Sequence, residues 1–161
     1  MRWLIDGYNV IRRDPELAQH EARGLEDGRA ALLRLVAGAA RTSGDPFTVV
    51  FDGARRAGGA PAGGQVHVMF SRPPETADDV LRRLASELRS GAVVVSSDRA
   101  VRDAAERAGA AAVTAEQFVA ALMPGEDDDP DDDPPPRGGN PRRPSRAARA
   151  TQRVLGRLRA R

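Results

Sequence analysis

Short apolar runs alternate with longer helical patterns over the first 123 residues. Strand-like runs occupy residues 2–6, 47–52, 65–70 and 92–96, and a shorter one surrounds Val113. The spacing of apolar residues between them predicts helices over residues 25–41, 76–89, 98–108 and 115–123. Near-continuous apolar strands separated by helices are typical of a parallel sheet covered on both faces. The pattern therefore predicts a three-layer α/β/α sandwich with a mainly parallel sheet.

The pattern changes after residue 123 and divides the chain into three segments. Residues 1–123 are predicted to form the folded domain, with a mobile glycine-rich loop at residues 58–64. Residues 124–144 combine an acidic run with seven prolines and are predicted to be a disordered linker. Residues 145–161 form an arginine-rich tail, in which a helix from Ser145 to about Arg159 is expected to fold only against a partner.

The small net charge of +2 hides a strong separation of charge in this last part of the chain. Residues 126–133 carry seven acids, whereas residues 137–161 carry nine arginines and no acid. Such a basic tail favours salt-sensitive contact with RNA or the ribosome, independent of nucleotide sequence. The alternative is that the tail folds back on the acidic run.

Composition and missing motifs exclude several classes of function. The chain has no cysteine, and therefore no disulfide, thiolate zinc site or cysteine nucleophile. His20 and His67 lie outside any acid or serine motif, which argues against a histidine-based catalytic triad or zinc site. No glycine-rich nucleotide-binding pattern occurs, so no nucleotide cofactor is expected. No apolar run reaches the roughly 18 residues of a membrane span. We therefore expect a cytoplasmic protein without membrane contact.

The most informative feature is the position of four aspartates. Asp6 and Asp52 end two predicted strands, Asp98 follows another strand by two residues, and Asp78 lies at the start of a predicted helix. The carboxyl ends of parallel strands share one edge of a sheet, where ligands bind. Carboxylates gathered there repel one another unless a cation relieves them, and all-oxygen ligation suits Mg²⁺ or Mn²⁺. One or two such ions support hydrolysis of a phosphodiester.

A structural role competes with this one for each aspartate, because an Asp after a strand is often a turn residue or a helix N-cap. The competition is strongest for Asp98. The adjacent pair Asp78 and Asp79 is separated by helix geometry: Thr76 and Asp79 have the spacing of a capping box, while Asp78 leans toward the sheet edge. We therefore include Asp78, and not Asp79, among the candidate site carboxylates.

Four segments resemble the NYN branch of the PIN-like nucleases, and most closely the YacP-type ribonucleases. They are Leu4-Ile5-Asp6-Gly7-Tyr8-Asn9-Val10-Ile11, Val49-Val50-Phe51-Asp52-Gly53, Glu75-Thr76-Ala77-Asp78 and Val95-Ser96-Ser97-Asp98. The resemblance covers about residues 1–123 and implies a PIN-like fold. It also implies a metal-dependent endoribonuclease with metal-site carboxylates at Asp6, Asp52, Asp78 and Asp98, which acts on mRNA in a ribosome-associated setting.

Other side chains near these motifs are candidates for supporting roles. Asn9 is predicted to orient Asp6 or bind a metal-bound water, and its alternative is a turn amide. Tyr8 is a candidate for stacking on a base, Ser96 and Ser97 for binding phosphate or water, and Arg72 for steering RNA. Each has a bland alternative: a buried ring, a helix cap or a solvated surface charge. Two further functions remain open: a catalytically inactive RNA- or ribosome-binding module, and a metal-dependent phosphatase of small molecules.

Overall fold

The structure is a computed structural model of the 161-residue chain, and it describes residues 1–53, 64–123 and 145–159. The strands are β1 (Arg2–Asp6), β2 (Phe47–Phe51), β3 (Val66–Phe70), β4 (Ala92–Val95) and β5 (Ala111–Val113). The helices are α1 (Gly7–Arg13), α2 (Pro15–Arg23), α3 (Leu25–Ser43), α4 (Ala77–Leu88), α5 (Arg99–Arg107), α6 (Ala115–Leu122) and α7 (Arg146–Arg159).

The five strands form one parallel sheet in the order β3-β2-β1-β4-β5. Strand β1 is central: Trp3 lies opposite Phe47 of β2 on one side and Val93 of β4 on the other. After the central strand β1, the chain therefore adds β2 and β3 on one side of β1 and then β4 and β5 on the other. This arrangement places the carboxyl ends of β1, β2 and β4 side by side.

Two hydrophobic cores cover the two faces of the sheet, as expected for continuous apolar strands. Successive residues of β1 point to opposite faces, so Trp3 and Ile5 belong to one core and Leu4 to the other. Helices α1, α2, α3, α6 and α7 pack on the first face, and α4 and α5 on the second. The prediction of a three-layer α/β/α sandwich is thus confirmed, with Trp3 fully buried in the first core.

Helices α1 and α2 were not anticipated from the apolar pattern. Helix α1 is only seven residues long, too short for a helical period to stand out. Helix α2 did carry a local signal, because Asp14 caps it by accepting a hydrogen bond from the Leu17 amide at 2.9 Å, and Pro15 occupies its first turn.

Gly7 allows α1 to start directly at the end of β1. A Cβ atom on this residue would lie 2.3 Å from the Cε1 atom of Phe51, a distance too short for any side chain to fit here. The absence of a side chain therefore lets the first turn of α1 pack on β2. This close approach brings the residues that follow Gly7 over the carboxyl edge of the sheet.

Helix α7 packs on the domain itself. Its Val154 and Leu158 are buried in the first core, and its Thr151 hydroxyl donates to the Ala112 carbonyl at 3.3 Å. Arg157 makes two hydrogen bonds to Asp45, at 2.8 and 3.1 Å. The tail helix was expected to fold only against a partner. The domain itself is that partner, because α7 packs against α3 and α6 through Val154 and Leu158, which are one turn apart.

Two other expectations fall on residues outside the described ranges: the mobile loop at 58–64, of which only Gly64 is described, and the linker at 124–144. The acidic run that was the alternative contact for the tail lies there as well. Among the described residues, no helix combines the length and the apolar character needed to cross a membrane.

Candidate active site

A cleft of about 620 Å³ opens at the carboxyl edge of the sheet, next to the central strand. All four predicted aspartates line it, although they come from four different parts of the chain. Its lining residues are Asp6, Tyr8, Asn9, Arg12, Arg13, Asp52, Thr76, Ala77, Asp78 and Asp98. The spatial prediction made from the strand ends is therefore correct for the position of these side chains.

Asp6 is the buried member of the group. Its residue is 8% exposed, and its Oδ2 accepts a hydrogen bond from the Ser96 hydroxyl at 3.1 Å. Burial, with a smaller contribution from the charges of Asp78 and Asp98, raises the pKa of Asp6 to about 6 despite the Ser96 hydrogen bond. A carboxylate in this position is costly to ionise without a cation nearby.

Asp52 and Asp78 line the cleft from the end of β2 and the start of α4. Asp52 Oδ1 accepts hydrogen bonds from the Ser71 hydroxyl at 2.6 Å and from the Ala77 amide at 3.3 Å, which fixes the start of α4 beside the end of β2. Burial raises the pKa of Asp78, and the charge of Asp98 adds to it, while Arg82 on the next turn of α4 partly offsets both.

Asp79 differs from its neighbour as the helix geometry predicted. It forms a capping box with Thr76: Asp79 Oδ2 accepts from the Thr76 amide at 3.0 Å, and the Thr76 hydroxyl accepts from the Asp79 amide at 3.3 Å. These hydrogen bonds lower the pKa of Asp79. Two adjacent aspartates therefore have opposite electrostatic environments, and only Asp78 lines the cleft.

Asp98 combines the two roles that the sequence left open. Its Oδ1 caps α5 by accepting from the amides of Ala100 at 2.8 Å and Val101 at 3.4 Å. It also lines the cleft, and its charge raises the pKa of both Asp6 and Asp78. Capping fixes one oxygen of this carboxylate in space without removing its negative charge from the site.

The two serines before Asp98 support the site from behind. Ser96 is fully buried, donates to Asp6 and accepts from the Asp98 amide at 3.1 Å. Ser96 does not line the cleft, and its hydroxyl lies beneath the cleft surface, so the predicted binding of phosphate by Ser96 has no support in this arrangement. Ser97 does not line the cleft either: its hydroxyl donates to Glu116 at 2.6 Å.

Asn9 connects α1 to this turn. Its Oδ1 accepts a hydrogen bond from the Ser97 amide at 2.7 Å, and its side chain lines the cleft. The Asn9 side chain therefore contacts the turn that carries Asp98, while a hydrogen bond from the Asn9 backbone to the Asp6 carboxylate lowers the pKa of Asp6. Asn9 thereby sets the distance between β1 and the turn after β4.

Tyr8 lines the cleft, while Arg72 does not. The half-buried Tyr8 ring packs on Phe51 with a centroid distance of 5.1 Å, so part of it is core. Arg72 is exposed in the turn after β3 and lies outside the lining, which leaves its predicted role in steering RNA without support. Arg12 and Arg13 were missed, because α1 was not recognised as a helix.

The donor set fits a hydrated divalent cation. Carboxylate oxygens and water are the ligands that Mg²⁺ and Mn²⁺ prefer, and Mg²⁺ is commonly held by one or two carboxylates while it keeps several waters. Within the described ranges, no three acidic or histidine side chains form a close-set cage. None of the ion pairs between described residues involves the four cleft aspartates. Arg82 partly offsets the charge at Asp78, and the repulsion among the four carboxylates otherwise has no ion-paired counter-charge in the described ranges.

Comparison with known proteins gives concordant matches. The model of the family described as the YacP-like NYN domain matches residues 3–131. The chain is 33% identical over 89 residues to the uncharacterized protein YacP of Bacillus subtilis strain 168, covering 54% of this chain and 52% of that protein, so the match spans about half of its length.

Solved structures of Rae1 (YacP) from Bacillus subtilis are similar as well. The crystal structure of Rae1 aligns at a TM-score of 0.66 and 28% identity, covering 76% of this chain and 73% of that one. The W164L mutant aligns at a TM-score of 0.63 and the same identity, covering 76% and 74%. The five-stranded parallel architecture is therefore shared with an experimentally determined fold.

Proposed function

The chain belongs to the YacP-like NYN domain family, a branch of the PIN-like nucleases, and from that premise we propose that it is a divalent-metal-dependent endoribonuclease. The observation that carries the proposal is the convergence of four aspartates on one cleft without an ion-paired guanidinium among the described residues. The same observation disfavours a purely structural role, since crowded carboxylates raise the cost of folding.

In the proposed mechanism, one or two Mg²⁺ or Mn²⁺ ions would be held by Asp6, Asp52, Asp78 and Asp98. Bound there, the cation would supply an activated water and offset negative charge on the phosphodiester. Ser96 keeps Asp6 oriented toward the cleft through its hydrogen bond, and Ser71 does the same for Asp52. Asn9 holds the turn that carries Asp98 at a fixed distance from Asp6. The products would be a 5′-phosphate and a 3′-hydroxyl.

RNA is the substrate we propose, and mRNA on the ribosome is its setting. The family supports the first part, and the arginines of α7 support the second. This helix carries five arginines and no acid. Arg157 is paired with Asp45, and most of the helix surface away from Val154 and Leu158 is exposed. A basic helix of this kind suits the phosphate backbone of a large RNA.

An RNA cleavage assay with matched aspartate variants tests the proposed function. We expect Asp6→Asn and Asp78→Asn to reduce cleavage in Mn²⁺ by about a thousandfold, because each removes a charged ligand from the proposed metal site. Asp79→Asn is the control: it changes the neighbouring carboxylate, which points away from the cleft. End-labelled RNA on a sequencing gel gives the rate and the chemistry of the new ends.

Two outcomes would reject the nuclease. Cleavage that survives EDTA, or equal cleavage by the wild-type chain and Asp6→Asn, would show that the aspartates do not hold a catalytic metal. Binding of RNA without cleavage in any metal would favour the inactive RNA-binding module. Turnover of small phosphate esters alone would favour the phosphatase.

A further inference from the structure

Helix α1 places two basic side chains in the acidic cleft. Tyr8 and Arg12 are one turn apart on this helix, and so are Asn9 and Arg13. All four line the cleft that the aspartates form. The helix therefore contributes basic side chains to the cleft lining, to which Asp52 and the start of α4 contribute acids.

Arg12 is held by an aromatic ring and by an acid outside the cleft. The centre of its guanidinium lies 5.4 Å from the centroid of the Tyr8 ring, and its Nε lies 3.5 Å from Oε1 of Glu21 on α2. Tyr8 itself packs on Phe51. These contacts orient the Arg12 side chain. It remains 65% exposed, so most of its donors face water.

Arg13 is held through a chain of contacts that begins and ends on α1. Its Nη1 lies 3.7 Å from Oε1 of Glu116 on α6, and Glu116 accepts from the Ser97 hydroxyl at 2.6 Å. The Ser97 amide in turn donates to Asn9. The Ser97 hydrogen bond lowers the pKa of Glu116, which therefore stays charged beside Arg13. The Arg13 side chain is 56% exposed.

The ion pairs of Arg12 and Arg13 leave both guanidinium groups able to bind a further anion. Both pair with glutamates of neighbouring helices and neither with a cleft aspartate, so they do not neutralise the acids. A single carboxylate at 3.5 to 3.7 Å leaves most of the five donors of each guanidinium unused. A polyanion that enters an acidic cleft needs compensating positive charge, and a guanidinium suits phosphate oxygens.

We propose that Arg12 and Arg13 bind the RNA phosphates that flank the scissile bond and so position the strand across the aspartates. The inference rests on the proposed function for the identity of its ligand. Because α1 starts directly after Asp6, the two guanidiniums are tied to the central aspartate by one rigid helix. Phosphate binding at the arginines therefore fixes the register of the strand at the carboxylates.

Equilibrium RNA binding tests this proposal separately from cleavage. All variants are made in the full chain carrying Asp6→Asn, and a fluorescein-labelled single-stranded RNA is titrated in Mg²⁺ at several salt concentrations. We expect Arg12→Gln with Arg13→Gln to weaken binding about tenfold or more at low salt. The slope of the logarithm of the association constant against the logarithm of the salt concentration should fall in magnitude by about 1.4. Two phosphate contacts are lost, and each contact with single-stranded RNA contributes about 0.7.

Three matched variants separate phosphate binding from a general charge effect and from a bracing role between helices. Arg34→Gln with Arg41→Gln removes the same charge from exposed positions on α3 and should leave the slope nearly unchanged. Arg12→Lys with Arg13→Lys keeps the charge and should keep most of the slope. Glu21→Gln with Glu116→Gln frees the arginines and should preserve or increase RNA affinity.

Two results would overturn the proposal. Equal affinities for the Arg12/Arg13 and Arg34/Arg41 variants would show that the cleft arginines contribute only general charge. A loss of affinity shared by the Glu21/Glu116 variant would show that the arginines only brace the helices. Circular dichroism melts check that each variant is folded. Absence of cleavage by the wild-type chain would reject the nuclease but leave this binding comparison intact.

Discussion

Two buried aspartates of this protein, Asp6 and Asp45, have opposite environments. Both are less than 10% exposed and each lies next to a strand, Asp6 at the end of β1 and Asp45 two residues before β2. Burial raises the pKa of Asp45, but hydrogen bonds from Arg157, the N-terminal amine and the Trp3 indole lower it by more. Asp6 accepts hydrogen bonds from the Ser96 hydroxyl and the Asn9 backbone but is repelled by Asp78 and Asp98, and burial above all raises its pKa to about 6.

The contrast separates a buried carboxylate that is paired with cations from one that is surrounded by other carboxylates. At Asp45 the fold supplies two cations and an indole, so the negative charge stabilises the docking of α7 and of the chain's first residue. At Asp6 the fold supplies other carboxylates instead, although arginines are abundant in this sequence. Burial alone therefore does not make a carboxylate a candidate site residue, and it is burial without a counter-charge that makes Asp6 one.

The largest effect that would test this comparison is loss of the Asp45 charge. We expect Asp45→Asn to lower the free energy of unfolding by about 3 kcal/mol, because Arg157 and the N-terminal amine lose a buried partner. Asp103→Asn is the control: it breaks an exposed pair with Arg99 and should cost less than about 1 kcal/mol. Urea unfolding followed by circular dichroism gives both values. Equal costs would show that the Asp45 cluster is not an anchor.

Loss of the Asp6 charge should have the opposite sign. In EDTA at pH 8 we expect Asp6→Asn to raise the free energy of unfolding by up to about 3 kcal/mol, the value of a pKa shift from 3.8 to about 6. A raised carboxyl pKa costs stability above that pKa, and the cost disappears as the pH falls toward the unfolded-state value. The gain should therefore vanish near pH 4. A destabilised Asp6→Asn protein at pH 8 would contradict the comparison.

A divalent cation should remove the same cost in the wild-type chain. We expect Mn²⁺ at a hundred times its dissociation constant to stabilise the wild-type chain by about 2.7 kcal/mol at neutral pH, and Asp6→Asn by much less. Asp79→Asn should respond like the wild-type chain, because Asp79 does not line the cleft. Thermal melts with and without Mn²⁺ measure the difference. An equal shift in all three proteins would place the ion elsewhere.

The sequence by itself determined the layers of the fold and the positions of the four cleft aspartates. Periodicity of apolar residues is a local property, so it located the strands and the longer helices. The rule that parallel strands end at one edge then brought Asp6, Asp52 and Asp98 together. Local capping geometry separated Asp78 from Asp79. The family motifs lie in these same segments and are the basis for the nuclease chemistry that we propose.

Only the tertiary structure decided which side chains support the site and which anchor the tail. Arg157 reaches Asp45 across 112 positions of sequence, and Ser96 reaches Asp6 across 90. Nothing local distinguishes Asp45 from an ordinary turn residue, or Ser96 from an exposed helix cap. Such pairings depend on the packing of elements distant in sequence, which fixes where each polar group is buried and which partner it meets there.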